Sequence, residues 1–153
     1  KSYPKRFIVF TNMDFAAIDD PEWQSRMLKQ LEENVKKGAN GLKIYKSLGM
    51  FNRDSKGNRI HIDDPRIDPI WAKCGELGIP VLIHAADPKQ FWQPIDKNNE
   101  RWLELKLHPG RRHDNDPVSW ETIIAEQHNV FRKNPKTKFI NAHLGWFGND
   151  LAR

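Results

Sequence analysis

Apolar residues follow two kinds of pattern along the chain. Four short runs are rich in apolar and β-branched residues and are bounded by residues that break secondary structure, at positions 7–11, 41–46, 79–84 and 138–143. Runs of this kind are typical of buried strands. Between them, apolar residues recur at helical spacing. The chain therefore predicts strands that alternate with helices, the pattern of an α/β protein with a parallel sheet.

Three helices are predicted between the strands, at positions 19–38, 68–78 and 116–134, and a fourth after position 143. Each of the three begins with an Asp-Pro pair and ends at glycine or asparagine, which are common start and stop signals. The predicted apolar faces comprise Trp23, Met27, Leu28, Leu31 and Val35; Ile70, Trp71, Cys74 and Leu77; and Trp120, Ile123, Ile124, Gln127 and Phe131.

The connections between these elements differ in length. Two long segments, 47–64 and 85–116, follow strands, whereas the connections after helices are short. In parallel α/β folds the loops after the strands build the active site. Four βα units are half of an eight-fold barrel of about 250 residues. We therefore predict an α/β protein, a partial (β/α)8 TIM barrel with parallel strands, as a single domain over residues 1–153.

Composition narrows the possible functions. The chain is 38% hydrophobic and 29% charged, as in a folded globular protein, and has no apolar run near the ~20 residues that would span a bilayer. Its net charge of +5 is spread over short basic pairs, so neither nucleic acid nor a membrane is expected as a partner. The single cysteine, Cys74, is expected to be a buried, inert thiol. The compartment is therefore open: cytoplasmic by default, periplasmic or secreted if a longer parent carries a signal peptide.

Two successive predicted strands end in histidine, at His84 and His143. The carboxyl ends of adjacent parallel strands meet at one edge of a sheet, so the two imidazoles can converge on one ion. Neutral imidazole is the commonest protein ligand for zinc and similar ions. A single histidine at such a position would more often be structural, but the repetition favours a metal site.

The second strand carries a lysine on the face opposite its aliphatic residues. Leu42 and Ile44 share one face, which suits the helix-covered outside of a barrel, and this directs Lys43 and Tyr45 inward. An inward ammonium group needs compensation, because burying an unpaired charge is costly. Lys43 is either neutralised by a carboxylate or carboxylated to serve as a metal ligand.

Three segments resemble the amidohydrolase superfamily, in particular its small metal-dependent hydrolases and decarboxylases of the amidohydrolase-2 type. They are 41–46 (GLKIYK), 81–88 (VLIHAADP) and 139–145 (FINAHLG). The resemblance covers nearly the whole chain and implies an internal fragment that spans about the third to the sixth strand of a TIM barrel. The superfamily's first-strand His-x-His pair and its eighth-strand aspartate segment do not occur in the sequence.

The resemblance implies that His84 and His143 are metal ligands. It also implies that protons are managed by His143 or by the eighth-strand aspartate that the sequence lacks. Lys43 matches the lysine that, when carboxylated, bridges two metals in ureases and dihydropyrimidinases. Tyr45 stands where urease-like members have a further histidine. The implied cofactor is a divalent metal, zinc first, with manganese or nickel as alternatives.

The activity implied by the resemblance is hydrolysis of a C–N or ester bond by a metal-activated water. Two alternatives stay open. One is metal-dependent, non-oxidative decarboxylation of an aromatic or enoic acid. The other is a catalytically incomplete fragment with no activity of its own.

The loop after the third strand mixes aromatic and polar residues, as ligand pockets do. A satellite core that fixes the loop would show the same mixture. Arg101 suits either a substrate carboxylate or an ion pair with Glu100 or Glu104. The candidate binding residues for a small-molecule substrate are Tyr45, Asp87, Phe91, Trp92, Arg101 and Trp146.

Two further expectations concern the remaining histidines and self-association. His61, His108, His113 and His128 lack the strand-end context and are expected to be solvated or structural. Half a barrel exposes two strand edges, so the chain is expected to form a homo-oligomer.

Overall fold

A computed structural model describes residues 6–146 and contains one four-stranded parallel sheet in the order β1-β2-β3-β4. The strands are β1 (Phe10–Thr11), β2 (Gly41–Ile44), β3 (Val81–Ile83) and β4 (Phe139–Asn141). The helices are α1 (Trp23–Lys36), α2 (Ser47–Met50), α3 (Asp68–Glu76), α4 (Trp102–Leu107) and α5 (Trp120–Lys133). The predicted α/β class with parallel, sequentially ordered strands is confirmed.

The sheet has one buried face and one open face. Leu42 pairs with Val81 and Ile44 with Ile83, and all four side chains are buried in the core. The open face carries Lys43, its register partner Leu82, and Ile140 of β4, which is 46% exposed. The alternation predicted for β2 is therefore present, with the aliphatic pair on the helix-covered face and Lys43 on the opposite face.

The main core lies between the buried face of the sheet and the helices. Burial of each large aliphatic or aromatic side chain contributes about 1.5–3 kcal/mol to folding. The largest fully buried side chains are Trp23, Trp71, Leu31, Leu42, Ile44, Leu48, Ile60, Ile62, Ile67, Ile70, Ile83 and Leu105.

Several large apolar side chains remain exposed on and beside the sheet. Phe7 is 67% exposed, Ile8 75% and Leu144 69%. Exposed apolar surface and unpaired strand edges favour association with other chains. The expected homo-oligomer stays a prediction. Among the residues described, no helix has the length and apolar character needed to cross a membrane.

Element boundaries differ from those predicted. Helix α1 begins at Trp23, because Asp20 closes a turn by accepting the Glu22 N–H at 2.8 Å. Helix α5 begins at Trp120 and not at Asp116, and Ser119 is its N-cap. Asp116 is unable to cap this helix because its carboxylate binds His113. The strands are also shorter than the apolar runs that predicted them.

The two long connections contain short elements of their own. Segment 47–64 begins with the kinked α2, and segment 85–116 contains α4 and two 3₁₀ helices, Lys89–Trp92 and Pro109–Arg111. A third 3₁₀ element, Ala142–Trp146, stands where the start of a fourth helix was predicted. The rest of that predicted helix lies outside the described residues.

Candidate metal centre

His84 and His143 lie side by side at the carboxyl end of the sheet. Their ring centroids are 4.7 Å apart and the rings are inclined at 64°. His84 directly follows β3, and its backbone N–H donates to the carbonyl of Ile44 at 3.1 Å. His143 lies just beyond β4. The structure thus brings together the two histidines that the sequence singled out.

His84 has the features of a metal ligand. Its Nε2 atom is buried and has no hydrogen-bond partner among the described residues. Burial, followed by the charges of His143 and Lys43, lowers the pKa of His84 to about 4. The imidazole is therefore neutral at physiological pH, the form in which histidine binds metals. A buried, unpaired nitrogen costs free energy unless a ligand uses it, so this residue fits a divalent ion.

The chain turns sharply at His143. The residues from His143 to Trp146 all have positive φ, with His143 at 55°, Leu144 at 53° and Trp146 at 65°. Each non-glycine residue in this region costs about 1–2 kcal/mol. Such strain persists only where the surroundings impose it, and it is concentrated at functional sites.

Trp146 supports this turn. Its indole Nε1 donates to the carbonyl of Ala85 at 2.7 Å, which ties the turn to the segment after β3. Its ring stacks on His143 with centroids 4.4 Å apart and planes inclined at 13°. Trp146, a predicted substrate residue, thus contacts a proposed ligand and fixes its ring orientation.

Lys43 and Tyr45 lie beside the histidines. Lys43 is partly buried on the open face, and its Nζ atom is 5.3 Å from the centre of the Tyr45 ring. Burial lowers the pKa of Lys43. No carboxylate of residues 6–146 forms an ion pair with Lys43, so the described residues offer its amine no neutralising partner. Tyr45 is 54% exposed and accessible to a small molecule.

Asp87 is engaged by other protein groups. Both of its carboxylate oxygens are 2.6 Å from Nζ of Lys46, and Oδ2 is also 3.0 Å from Nε2 of His113. Nδ1 of His113 lies 2.8 Å from Asp116, and the Asp87 carbonyl accepts the indole N–H of Trp120 at 3.1 Å. Asp87 therefore ties together β2, β3 and the following loop, and its carboxylate is not free for a ligand.

His113 is a buried titratable residue whose role the sequence pattern did not reveal. It is 5% exposed. Burial opposes its protonation, but the hydrogen bonds and charges of Asp87 and Asp116 outweigh that effect and raise the pKa of His113. Sequence reasoning allowed a structural role for His113 but did not identify Asp87 as its partner. Asp116, three residues along the chain, was the only local signal.

The aromatic residues of the loop pack around His113. The Trp92 ring centroid is 4.4 Å from that of His113, and the Trp92 indole donates to the carbonyl of Val118 at 2.9 Å. Phe91 is 5% exposed and stacks on His113 at 6.1 Å. Arg101 is on the surface and pairs with Glu104 at 3.1 Å. Phe91 and Trp92 therefore form a satellite core, and Arg101 forms an ion pair. The sequence analysis gave these roles as the alternatives to a substrate pocket.

A second group of potential ligands lies between segment 47–64 and α5. Ligand atoms of His61, Asp63 and Glu126 lie within 4.8 Å of one another. Glu126, however, is bound by Arg59 at 2.5 and 2.9 Å and accepts the N–H of Ile62 at 3.1 Å. A metal would have to displace this guanidinium from a buried carboxylate, which is costly. The group therefore works as a clamp that holds the loop on the helix.

A family model described as amidohydrolase matches residues 11–153. The chain therefore belongs to the amidohydrolase family, as the three segments at the strand ends predicted. The members of this superfamily are metal-dependent enzymes. The assignment of His84 and His143 as metal ligands stays a prediction.

Solved structures of similar fold come from several organisms. An amidohydrolase of Mycobacterium avium subspecies paratuberculosis is 22% identical, with 89% of this chain and 32% of that chain covered, at a TM-score of 0.53. The 2,6-dihydroxybenzoate decarboxylase from Rhizobium is 18% identical, with 95% of this chain and 41% of that chain covered, at a TM-score of 0.58. The IDCase of Metarhizium anisopliae is 18% identical, with 93% of this chain and 33% of that chain covered, at a TM-score of 0.54. No match was found among curated proteins.

These similarities confirm the fold. The similar structures are TIM-barrel amidohydrolases, and the four parallel strands of this chain align with part of that barrel. The chain spans about a third to two fifths of the length of these structures, since 32% to 41% of each is covered. The predicted partial barrel is thus confirmed, whereas the reaction is not determined by the fold.

Proposed function

We propose that this chain contributes His84 and His143 to the metal centre of a metal-dependent hydrolase. The observation that carries the proposal is the buried Nε2 of His84, which has no partner in residues 6–146 and lies beside the ring of His143. Two imidazoles at adjacent strand ends suit zinc, with manganese or nickel as alternatives. The family membership supports the same class of cofactor.

The bound ion would supply polarisation of a substrate carbonyl and activation of a water for attack on a C–N or ester bond. The residues of the chain have separate tasks. His84 offers an unprotonated nitrogen. His143, oriented by the stacked indole of Trp146, can hold or release a proton at an imidazole nitrogen. The satellite core around His113 holds the long loop against Asp87, three residues after His84.

Non-oxidative decarboxylation is the second candidate. An ammonium group on the open face near the two histidines suits a substrate that carries a carboxylate. One of the similar structures is a 2,6-dihydroxybenzoate decarboxylase. Hydrolysis remains the first candidate, and release of carbon dioxide from aromatic acids would favour the second.

Metal analysis of the purified protein tests the proposal. We expect one stoichiometric divalent metal in the wild type, a loss in His84→Asn and His143→Asn, and full retention in the control His108→Asn, which alters an exposed histidine. Amide, ester and aromatic acid substrates then separate hydrolysis from decarboxylation. Absence of metal from the wild type after growth in zinc, manganese or nickel would support the inactive fragment.

A further inference from the structure

We propose that Lys43 is an uncarboxylated ammonium group that binds a carboxylate of the substrate beside the metal centre. This inference rests on the proposed function and extends it by assigning the substrate class, small molecules that carry a carboxylate. It also replaces the metal-ligand role for Lys43 with a role in specificity.

The position of Lys43 follows from the strand register. Lys43 pairs with Leu82 in the parallel β2–β3 ladder. Side chains alternate along a strand, so Lys43, Leu82 and the residue at position 84 share the open face. Lys43 is therefore one strand away from His84 and two residues nearer the amino end. Its flexible four-carbon stem can bring the ammonium towards the histidines.

The charge of Lys43 is not matched by the described part of the chain. Lys46, three residues further on, has both oxygens of Asp87 at 2.6 Å, and the partly buried Lys73 has Glu76 at 2.7 Å and Glu32 at 3.3 Å. Within residues 6–146, the partner of Lys43 is the ring of Tyr45, at 5.3 Å. A ring attracts a cation but does not neutralise it.

An anion from solution would supply the missing partner. A partly buried ammonium without a counter-charge is costly, and a bound carboxylate would remove that cost. The two neighbouring histidine side chains do not provide a negative charge. Tyr45, which is 54% exposed, adds a ring against which the planar part of such a ligand can lie.

The test uses benzoate and its neutral isostere benzamide as probes in calorimetric titrations of the zinc-loaded and the metal-free protein. We expect the wild type to bind benzoate more tightly than benzamide. Lys43→Gln should weaken benzoate binding roughly 10- to 100-fold, because a charge-assisted hydrogen bond is lost. Lys43→Arg should keep most of the affinity, and the control Lys56→Gln, at an exposed loop tip, should change nothing.

The zinc content of the same variants separates the two roles of Lys43. If Lys43 is a substrate-binding cation, Lys43→Gln keeps its zinc, and intact mass spectrometry shows no added carbon dioxide. Loss of zinc in Lys43→Gln, with recovery in Lys43→Glu, would overturn the proposal and identify a carboxylated ligand. Equal benzoate affinity in wild type and Lys43→Gln would also overturn it.

The metal-free titrations separate this inference from the proposed function. A wild type that binds no zinc but still prefers benzoate through Lys43 would contradict the metal centre and retain the anion site. A wild type that binds zinc and does not prefer benzoate over benzamide would retain the metal centre and refute the role of Lys43.

Discussion

Replacing Asp87 by asparagine removes the negative charge that Lys46 and His113 share. Both carboxylate oxygens lie 2.6 Å from Nζ of Lys46, and Oδ2 lies 3.0 Å from Nε2 of His113. Asparagine keeps the shape of the side chain, so the change acts on charge and not on packing. We predict that D87N leaves Lys46 and His113 facing a neutral amide and lowers the free energy of unfolding.

The magnitude follows from the exposure of the two partners. The Lys46 side chain is 38% exposed, so its ion pair contributes about 0–1 kcal/mol. The His113 side chain is 5% exposed, and a buried, charge-assisted hydrogen bond of this kind contributes about 1.5–3 kcal/mol. Together these give a loss of about 1.5–4 kcal/mol for D87N. The control D116N alters a carboxylate that is 35% exposed and should cost about 1 kcal/mol or less.

The free energy of unfolding that D87N loses should depend on pH. The pKa of His113 is raised above 6.5 in the folded protein, so its protonation stabilises the fold fully below about pH 6.5, and this stabilisation fades as the pH rises through the folded pKa. Burial opposes ionisation of Asp87, but His113 and Lys46 lower its pKa below 3.8, so its contribution is present above that value. The effect of D87N should therefore be larger at pH 6 than at pH 9.

Urea unfolding of wild type, D87N and D116N at both pH values measures these differences, with tryptophan fluorescence and circular dichroism as probes. A free energy of unfolding of D87N within about 0.5 kcal/mol of the wild-type value, which is about the error of such measurements, would refute this prediction. Equal losses in D87N and D116N would also refute it, because they would remove the distinction between buried and exposed partners.

Three smaller predictions test local features of the fold. Ser119→Ala should lower the free energy of unfolding by about 1 kcal/mol, because Oγ accepts the Thr122 N–H at 3.1 Å as a helix cap; Ser119→Asp should retain stability in the same urea assay. Burial raises the pKa of Cys74 to about 12, so iodoacetamide should label it only after unfolding, and rapid labelling of the native protein would contradict its burial. Gly49→Ala should cost about 2 kcal/mol or more, because φ is 87° and the new Cβ would lie 2.7 Å from Ile62 Cγ1; unchanged thermal stability would exclude this strain.

The sequence predicted the elements better than their ends. Strands and helices are recognisable because burial imposes a repeat of 2 or about 3.6 residues on apolar positions. The start of α5 was misplaced because Asp116, a good N-cap residue, binds His113 instead. The choice between these two uses depends on Asp87, which is 26 residues away from His113 in the sequence and adjacent to it in the fold.

In the candidate site, too, some residues could be identified from the sequence and others could not. His84 and His143 could be paired from sequence because each ends a strand, and parallel strand ends meet at one edge. His113 and Glu126 carried no such signal. The partner of Glu126, Arg59, lies 67 positions away, and only the packing of segment 47–64 against α5 brings them to 2.5 Å. Long-range ion pairs of this kind follow from the tertiary structure and not from periodicity.

A zinc-edge X-ray absorption spectrum and a crystal structure of the zinc-loaded protein test the central claim most directly. The account predicts one zinc ion bound by Nε2 of His84 and by a ring nitrogen of His143, with Zn–N distances of about 2.0–2.1 Å. Zinc bound instead by His61, Asp63 and Glu126, or zinc with no histidine ligand, would contradict it.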